Sequence, residues 1–167
     1  MAEIREERAG DAAAISSVHL AAFPTSSEAN LIEQLRSDGD IAVSLIALDD
    51  GEIVGHALLS RMSVEADGQE LHGLGLGPVS VVPDRQRTGI GSALIEAGIH
   101  SAQSTGVQII FVLGEPAYYG RFGFDAKGAA GFASPYAGRY FQARQLANLP
   151  QPLVGRADYA PAFAGVE

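Results

Sequence analysis

The run Val79-Ser80-Val81-Val82-Pro83-Asp84-Arg85-Gln86-Arg87-Thr88-Gly89-Ile90-Gly91-Ser92-Ala93-Leu94 constrains this chain most, because it reads as strand, sharp turn and helix in immediate succession. Val79, Val81 and Val82 are β-branched and favour a strand, while Pro83 cannot donate to a ladder and steers the residue before it away from helix. The strand is expected to stop near Val82. Beyond the turn, Ile90, Leu94, Ile95 and Ile99 recur with helical spacing, so a helix begins around Gly89.

The first amides of such a helix have no internal partner, and its macrodipole adds partial positive charge there. A phosphate or pyrophosphate fits that end: Gly89 and Gly91 allow close approach to the backbone, and Arg87, Thr88 and Ser92 offer further donors. The same glycines also suit a plain strand-turn-helix connection, and the bare pattern leaves both uses open. Two other nucleotide signatures fit poorly. A Walker loop ends in Gly-Lys-Ser/Thr, but the only lysine is Lys127, in Lys127-Gly128-Ala129. A dinucleotide fingerprint needs a third glycine, and Gly89-Ile90-Gly91-Ser92-Ala93-Leu94 has none.

With Gln86-x-x-Gly89-x-Gly91 in view, the chain resembles the GNAT superfamily of acyl-CoA-dependent N-acyltransferases, whose signature is Arg/Gln-x-x-Gly-x-Gly/Ala after a strand closed by a proline turn. Downstream, Glu115-Pro116-Ala117-Tyr118-Tyr119-Gly120-Arg121-Phe122-Gly123-Phe124 is similar to the family's second signature, as found in one bacterial subgroup of predicted N-acetyltransferases. The resemblance implies an α/β fold in a single domain, residues 1–167: a mixed, mostly antiparallel sheet flanked by helices, with a βαβ half that holds the cofactor. It also implies acetyl-CoA as acyl donor. Backbone groups of Val79, Ser80 and Val81 would pair with the pantetheine arm, Arg87, Thr88, Gly89, Ile90, Gly91 and Ser92 would cradle the pyrophosphate, and Tyr119 would be the general acid. Where many relatives carry an asparagine before the tyrosine helix, this chain has Leu113-Gly114-Glu115-Pro116.

Composition excludes other chemistries. The chain has no cysteine, hence no disulfide, thiolate metal site or cysteine nucleophile. His19, His56, His72 and His100 are scattered without ligand spacing, so no metal site is expected. The formal net charge is −9, with 14 acids against 4 Lys/Arg in residues 1–70 and 6 against 7 in residues 71–167. That balance disfavours nucleic acid as a partner. The acidic half is either a solvated surface or an attractor for a cationic amine. No apolar run is long enough to span a bilayer, and Met1 to Glu7 is charged rather than signal-like, so a cytoplasmic location is expected.

Along the chain, the pattern predicts a short strand at Ile4–Glu7, a helix after Asp11 to about Ala22 and a second from Glu28 to Ser37. Ile41–Leu48 and Glu52–Val64 read as a hairpin around Asp50-Gly51, and Glu70–Val82 as the next antiparallel strand. Gly73, Gly75 and Gly77 share one face of it and serve either ligand access or packing. Val107–Leu113 is a strand, Asp125–Gly138 a loop, Arg139–Leu146 a strand, and the remainder an irregular tail. A meander followed by a βαβ unit makes an α/β sheet of mixed direction.

Amide formation from a thioester needs an aligned neutral amine, an oxyanion donor and a proton for the thiolate. A backbone amide at the end of Val79–Val81 suits the second need. Tyr119 suits the third, since a phenol near pKa 10 still holds its proton at neutral pH and can hand it to the departing thiolate, with a packing role as the alternative and Tyr118 facing elsewhere. For a base, Glu70 and His72 share a strand face, although a surface role is the plainer reading of both. Glu115 is either an acid near the site or a helix cap, and Arg121 either meets the CoA phosphates or forms a surface ion pair, the ion pair being the plainer reading. The function expected is acetyl transfer from acetyl-CoA to a small-molecule or protein amine in a ternary complex. The alternatives are a non-catalytic acyl-CoA-binding module and, further off, a structural domain without CoA.

Overall fold

The computed structural model describes residues 2–165. β1 (Glu3–Glu6) leads into α1 (Ala12–Ala22) and α2 (Ser27–Asp38). Asp11 stands at the α1 N-cap as expected, yet its carboxylate accepts from Arg5 Nη1 at 2.8 Å and from the Arg8 amide at 2.7 Å rather than from the helix. α2 stops at Gly39, which takes a left-handed φ of 76°.

β2 (Ile41–Asp49) and β3 (Glu52–Arg61) form the expected hairpin, with Asp50 and Gly51 both at positive φ in the turn. The two long strands that sequence patterning suggests next each divide. One breaks at Met62, leaving β4 (Ser63–Ala66); the other breaks at His72, leaving β5 (Gln69–Leu71) before β6 (Gly73–Val81). The detached pieces join a second sheet. After β6 come α3 (Ile90–Ser104), β7 (Ile109–Leu113), the short helices α4 (Pro116–Tyr119) and α5 (Ala126–Ala129), and the strands β8 (Phe132–Ala133), β9 (Phe141–Gln145) and β10 (Gly155–Asp158).

The larger sheet has the order β1-β2-β3-β6-β7-β9 and is antiparallel except for β6 and β7, which the α3 crossover makes parallel. The smaller one runs β5-β4-β10-β8. The expectation of an irregular tail is therefore corrected: β10 fills the gap between β4 and β8, satisfying ladder groups that both strands otherwise leave open.

Side-chain alternation on β3 divides the core. Ala57 and Leu59 meet Leu94, Ile95 and Ile99 of α3 on one face, whereas Leu58 meets Leu31, Ile32 and Leu35 of α2 on the other. α1 lies on that second face, against β3 and β6. Two of the three β6 glycines turn out to serve packing. A β-carbon on Gly73 would lie 2.6 Å from Val64 Cγ2, and one on Gly75 would lie 2.6 Å from Tyr159 Cε1. Among the described residues, no helix is long and apolar enough to cross a membrane.

Candidate active site

β6 and β7 pair only from Gly73↔Ile109 to Leu76↔Val112; β6 then continues to Val81 alone on that side, while β3 still covers its other edge as far as Gly55↔Val81. The Val82 amide donates to Val54 O at 2.9 Å, so Ser80, two residues earlier, also turns its backbone groups toward β3. Val79 and Val81 consequently present theirs to the open side. A cleft of about 530 Å³ lies there, lined by these three residues together with Gly89, Gly91 and Tyr119.

The strand end is braced by Gln86, whose Nε2 donates to Val81 O at 2.9 Å. Arg87 and Gly89 take left-handed φ values of 65° and 88°, which swing the chain into α3 with Gly89 as its N-cap. Ala93 N reaches Gly89 O at 3.0 Å as the first helical bond, which leaves the amides ahead of it without helical acceptors. A β-carbon on Gly91 would project toward Tyr118 Oη, 3.4 Å away, so the glycine keeps this corner open. The predicted cradle residues contribute unequally. Ile90 offers only its amide, because its side chain is buried against Gly55. The Thr88 hydroxyl already donates to Arg85 O at 2.6 Å, and Arg85 is bound to Asp49 at 2.8 Å.

Arg121 departs from the expected surface ion pair. Its guanidinium sits 5.3 Å from the Tyr118 ring centre and places Nη2 3.4 Å from Ser92 Oγ, beside the α3 N-terminus. Tyr119 packs edge-on to Tyr118, with 5.0 Å between ring centres, and near Phe124 at 6.1 Å. Burial, reinforced by Tyr118, pushes the Tyr119 phenol up to about 12, so it is protonated throughout the neutral range.

This combination of an open strand edge, a glycine-opened helix and a desolvated tyrosine meets a direct counterpart in known proteins: the family described as acetyltransferase (GNAT) domain matches residues 3–126. The chain belongs to the GNAT acetyltransferases. It is 39% identical over 131 residues to the uncharacterized N-acetyltransferase YjhQ of Escherichia coli (strain K12), an alignment that covers 75% of this chain and 71% of that protein. Its fold matches the GNAT family N-acetyltransferase YhbS from Escherichia coli in complex with CoA, with a TM-score of 0.90 and 29% identity over 99% of this chain and 93% of that one. A GNAT family acetyltransferase from Brucella melitensis in complex with acetyl-CoA matches with a TM-score of 0.80 and 34% identity over 98% of both chains.

Within this GNAT frame, Tyr118 also lines the cleft, contrary to the expectation that it faces elsewhere. α4 is a single four-residue turn beside the cleft, and its two consecutive tyrosines both line it. Glu70 and His72 are remote from it: Glu70 lies on β5 of the smaller sheet, and His72 lines a different cleft beside Glu7 and Arg36. Glu115 is exposed and 4.0 Å from Arg139. Sequence spacing missed one group altogether. The Ser80 hydroxyl turns away from its backbone partners toward α1, where His19 Nδ1 lies 3.0 Å off.

Proposed function

We propose that the protein transfers the acetyl group of acetyl-CoA to a primary amine by direct attack in a ternary complex, with residues 1–167 acting as one domain. The observation that carries this reading is the unpaired β6 edge at Val79 and Val81 running straight into the open α3 N-terminus. In the proposal, those backbone groups bond the pantetheine arm. The amides of Gly89, Ile90, Gly91 and Ser92, with Arg87 and Arg121, hold the pyrophosphate. Tyr119 gives its proton to the departing thiolate. An outward amide at Val79 or Val81 bonds the oxyanion, a contact typically worth about 10²–10³ in rate. The CoA and acetyl-CoA complexes of the two similar structures support the choice of donor.

The acceptor belongs to the class of primary amines, borne by a small molecule or a protein, and a cytoplasmic setting is part of the proposal. Calorimetric titration with acetyl-CoA tests the donor: saturable binding is expected, and a folded protein that takes up none overturns the reading. The rival is an acyl-CoA-binding module without turnover. The partly buried, protonated Tyr119 at the cleft favours the enzyme, and loss of turnover with retained binding in Tyr119→Phe separates the two.

A further inference from the structure

Five side chains form one unbroken line of hydrogen bonds on the sheet face beneath α1. Ser80 and His56 are direct cross-strand partners on β6 and β3, Ser44 stands diagonally from His56 on β2, and α1 sets His19 above them. Ser80 Oγ is 3.0 Å from His19 Nδ1 and 3.4 Å from its Nε2, His19 Nε2 is 2.8 Å from His56 Nδ1, His56 Nε2 is 2.8 Å from Ser44 Oγ, and Ser44 Oγ is 2.6 Å from Glu7 Oε1. Both imidazoles are completely buried. One end of the line, Ser80, lines the acyl-donor cleft; the other, Glu7, lines a separate cleft of about 570 Å³ with Arg36.

Glu7 sets the polarity of the whole line. Its carboxylate, paired with the Arg36 guanidinium, has no proton to give, so Ser44 must donate to it. Ser44 then accepts from His56 Nε2–H. With its one proton on Nε2, His56 accepts at Nδ1 from His19 Nε2–H, and His19 Nδ1 is left to accept from the Ser80 hydroxyl. The Ser80 oxygen, in a residue 5% exposed at the cleft wall, therefore keeps its lone pairs free of His19. This order needs two neutral imidazoles, and burial holds His19 near 4 and, joined by the repulsion a second imidazolium at His19 would add and by Arg36, His56 near 3. The charged and titratable groups around the pair are Glu7, Arg36 on α2 and Glu33, which lies 3.6 Å from Arg36.

We infer that Ser80 and His19 receive the proton given up by the acceptor amine, and that His56, Ser44 and Glu7 are positioning residues that hold His19 in its receiving tautomer. The inference rests on the acetyl-CoA reading of the cleft. The amine nitrogen bonds to the thioester carbon, and the carbonyl π pair moves to oxygen. The cationic nitrogen passes its proton to Ser80 Oγ as the Ser80 proton moves to His19 Nδ1. The oxyanion re-forms the carbonyl, the C–S bond breaks with its pair on sulfur, and sulfur takes the Tyr119 proton. His19 afterwards releases its proton through Ser80 to water and Tyr119 regains one, which closes the cycle. An imidazole held near 4 takes this proton only as the C–S bond breaks and the nitrogen gains amide character, which makes it far more acidic than an ammonium.

The first test needs no acceptor. ¹⁵N NMR of histidine-labelled protein is expected to find His19 and His56 neutral with the proton on Nε2 at pH 7; an Nδ1–H tautomer or an imidazolium at either overturns the inference. The second compares Ser80→Ala, His56→Gln and the double variant, with benzylamine as acceptor and acetyl-CoA hydrolysis as a parallel readout, since attacking water also gives up a proton. Each single change is expected to lower kcat by about 10²-fold with little change in KM, and the double variant to be no worse than either, as for residues acting as one unit. Multiplying losses, or a Ser80→Ala variant that turns over at the wild-type rate, overturn it. Ser80→Ala removes one oxygen from an otherwise intact strand, so it stands as a test even where His56→Gln fails to fold. Calorimetry keeps the two readings apart: a wild type that does not bind acetyl-CoA sinks the donor assignment, whereas binding retained in Ser80→Ala assigns the lost turnover to the proton path.

Discussion

The ring of Tyr119 rests on Gly114, so closely that a β-carbon at 114 would lie 2.8 Å from Tyr119 Cδ2. The glycine thus makes room for the aromatic side chain just where β7 gives way to α4. Gly114→Ala should push the ring out of place, at a cost of about 1–3 kcal/mol for overpacking. Turnover should fall by more than the stability loss explains, since small misplacements at a reacting group cost up to about 10²-fold. Thermal unfolding and kcat on the same preparation check this; an unchanged kcat would mean that the ring position does not matter.

Tyr119→Phe should lower kcat and leave acetyl-CoA affinity within about twofold, because the hydroxyl serves the leaving thiolate rather than binding. The wild-type kcat profile should show no basic limb up to pH 10, the phenol being held near 12 by burial. For stability the sign is that of a raised folded pKa: the preference for the neutral phenol contributes nothing extra below pH 10 that pH can remove, and is lost only as pH climbs from 10 toward 12. A basic limb below pH 10 that vanishes in Tyr119→Phe contradicts the burial argument.

Gly91→Glu should abolish acetyl-CoA binding, since its side chain enters the cleft beside Tyr118 with the wrong charge for a pyrophosphate. The fold should survive, because an acid in the first turn of α3 suits the helix dipole. Circular dichroism and calorimetry together decide it; undiminished affinity would move the phosphate site elsewhere.

Acid should destabilise the protein earlier than carboxylate protonation alone would. His19 and His56 are held near 4 and 3, so between about pH 6.5 and pH 4 the unfolded chain binds protons that the folded one refuses. Each such proton costs about 1.4 kcal/mol per pH unit. Urea unfolding at pH 7 and pH 5 should give a clearly lower midpoint at pH 5, and equal midpoints would mean that the pair takes up a proton in the folded state.

Removing residues 150–167 should unfold the smaller sheet rather than trim a tail. β10 bridges β4 and β8, and Tyr159 fills the space above Gly75. A truncated protein with unaltered thermal stability would show that the larger sheet stands without this support.

The local signals proved legible where chemistry acts over a few residues. Pro83 ends β6, Asp50-Gly51 turns the hairpin, and Gly89 opens α3 at positive φ, all as patterning implied. The breaks at Met62 and His72 were not legible, because each lies inside a run with strand patterning on both sides and only the demands of a second sheet divide it. β10, with the sequence Gly-Arg-Ala-Asp, carries no strand signal and exists because two open edges await it.

The amino-acid sequence alone determined the strand-turn-helix that opens the cleft, and with it the family, since proline, glycine and apolar periodicity act on their own neighbourhood. Only the tertiary structure brought Ser80 and His56 within reach of His19, 61 and 37 positions away along the chain. Cross-strand register and helix docking decide such meetings, and neither is encoded in local spacing.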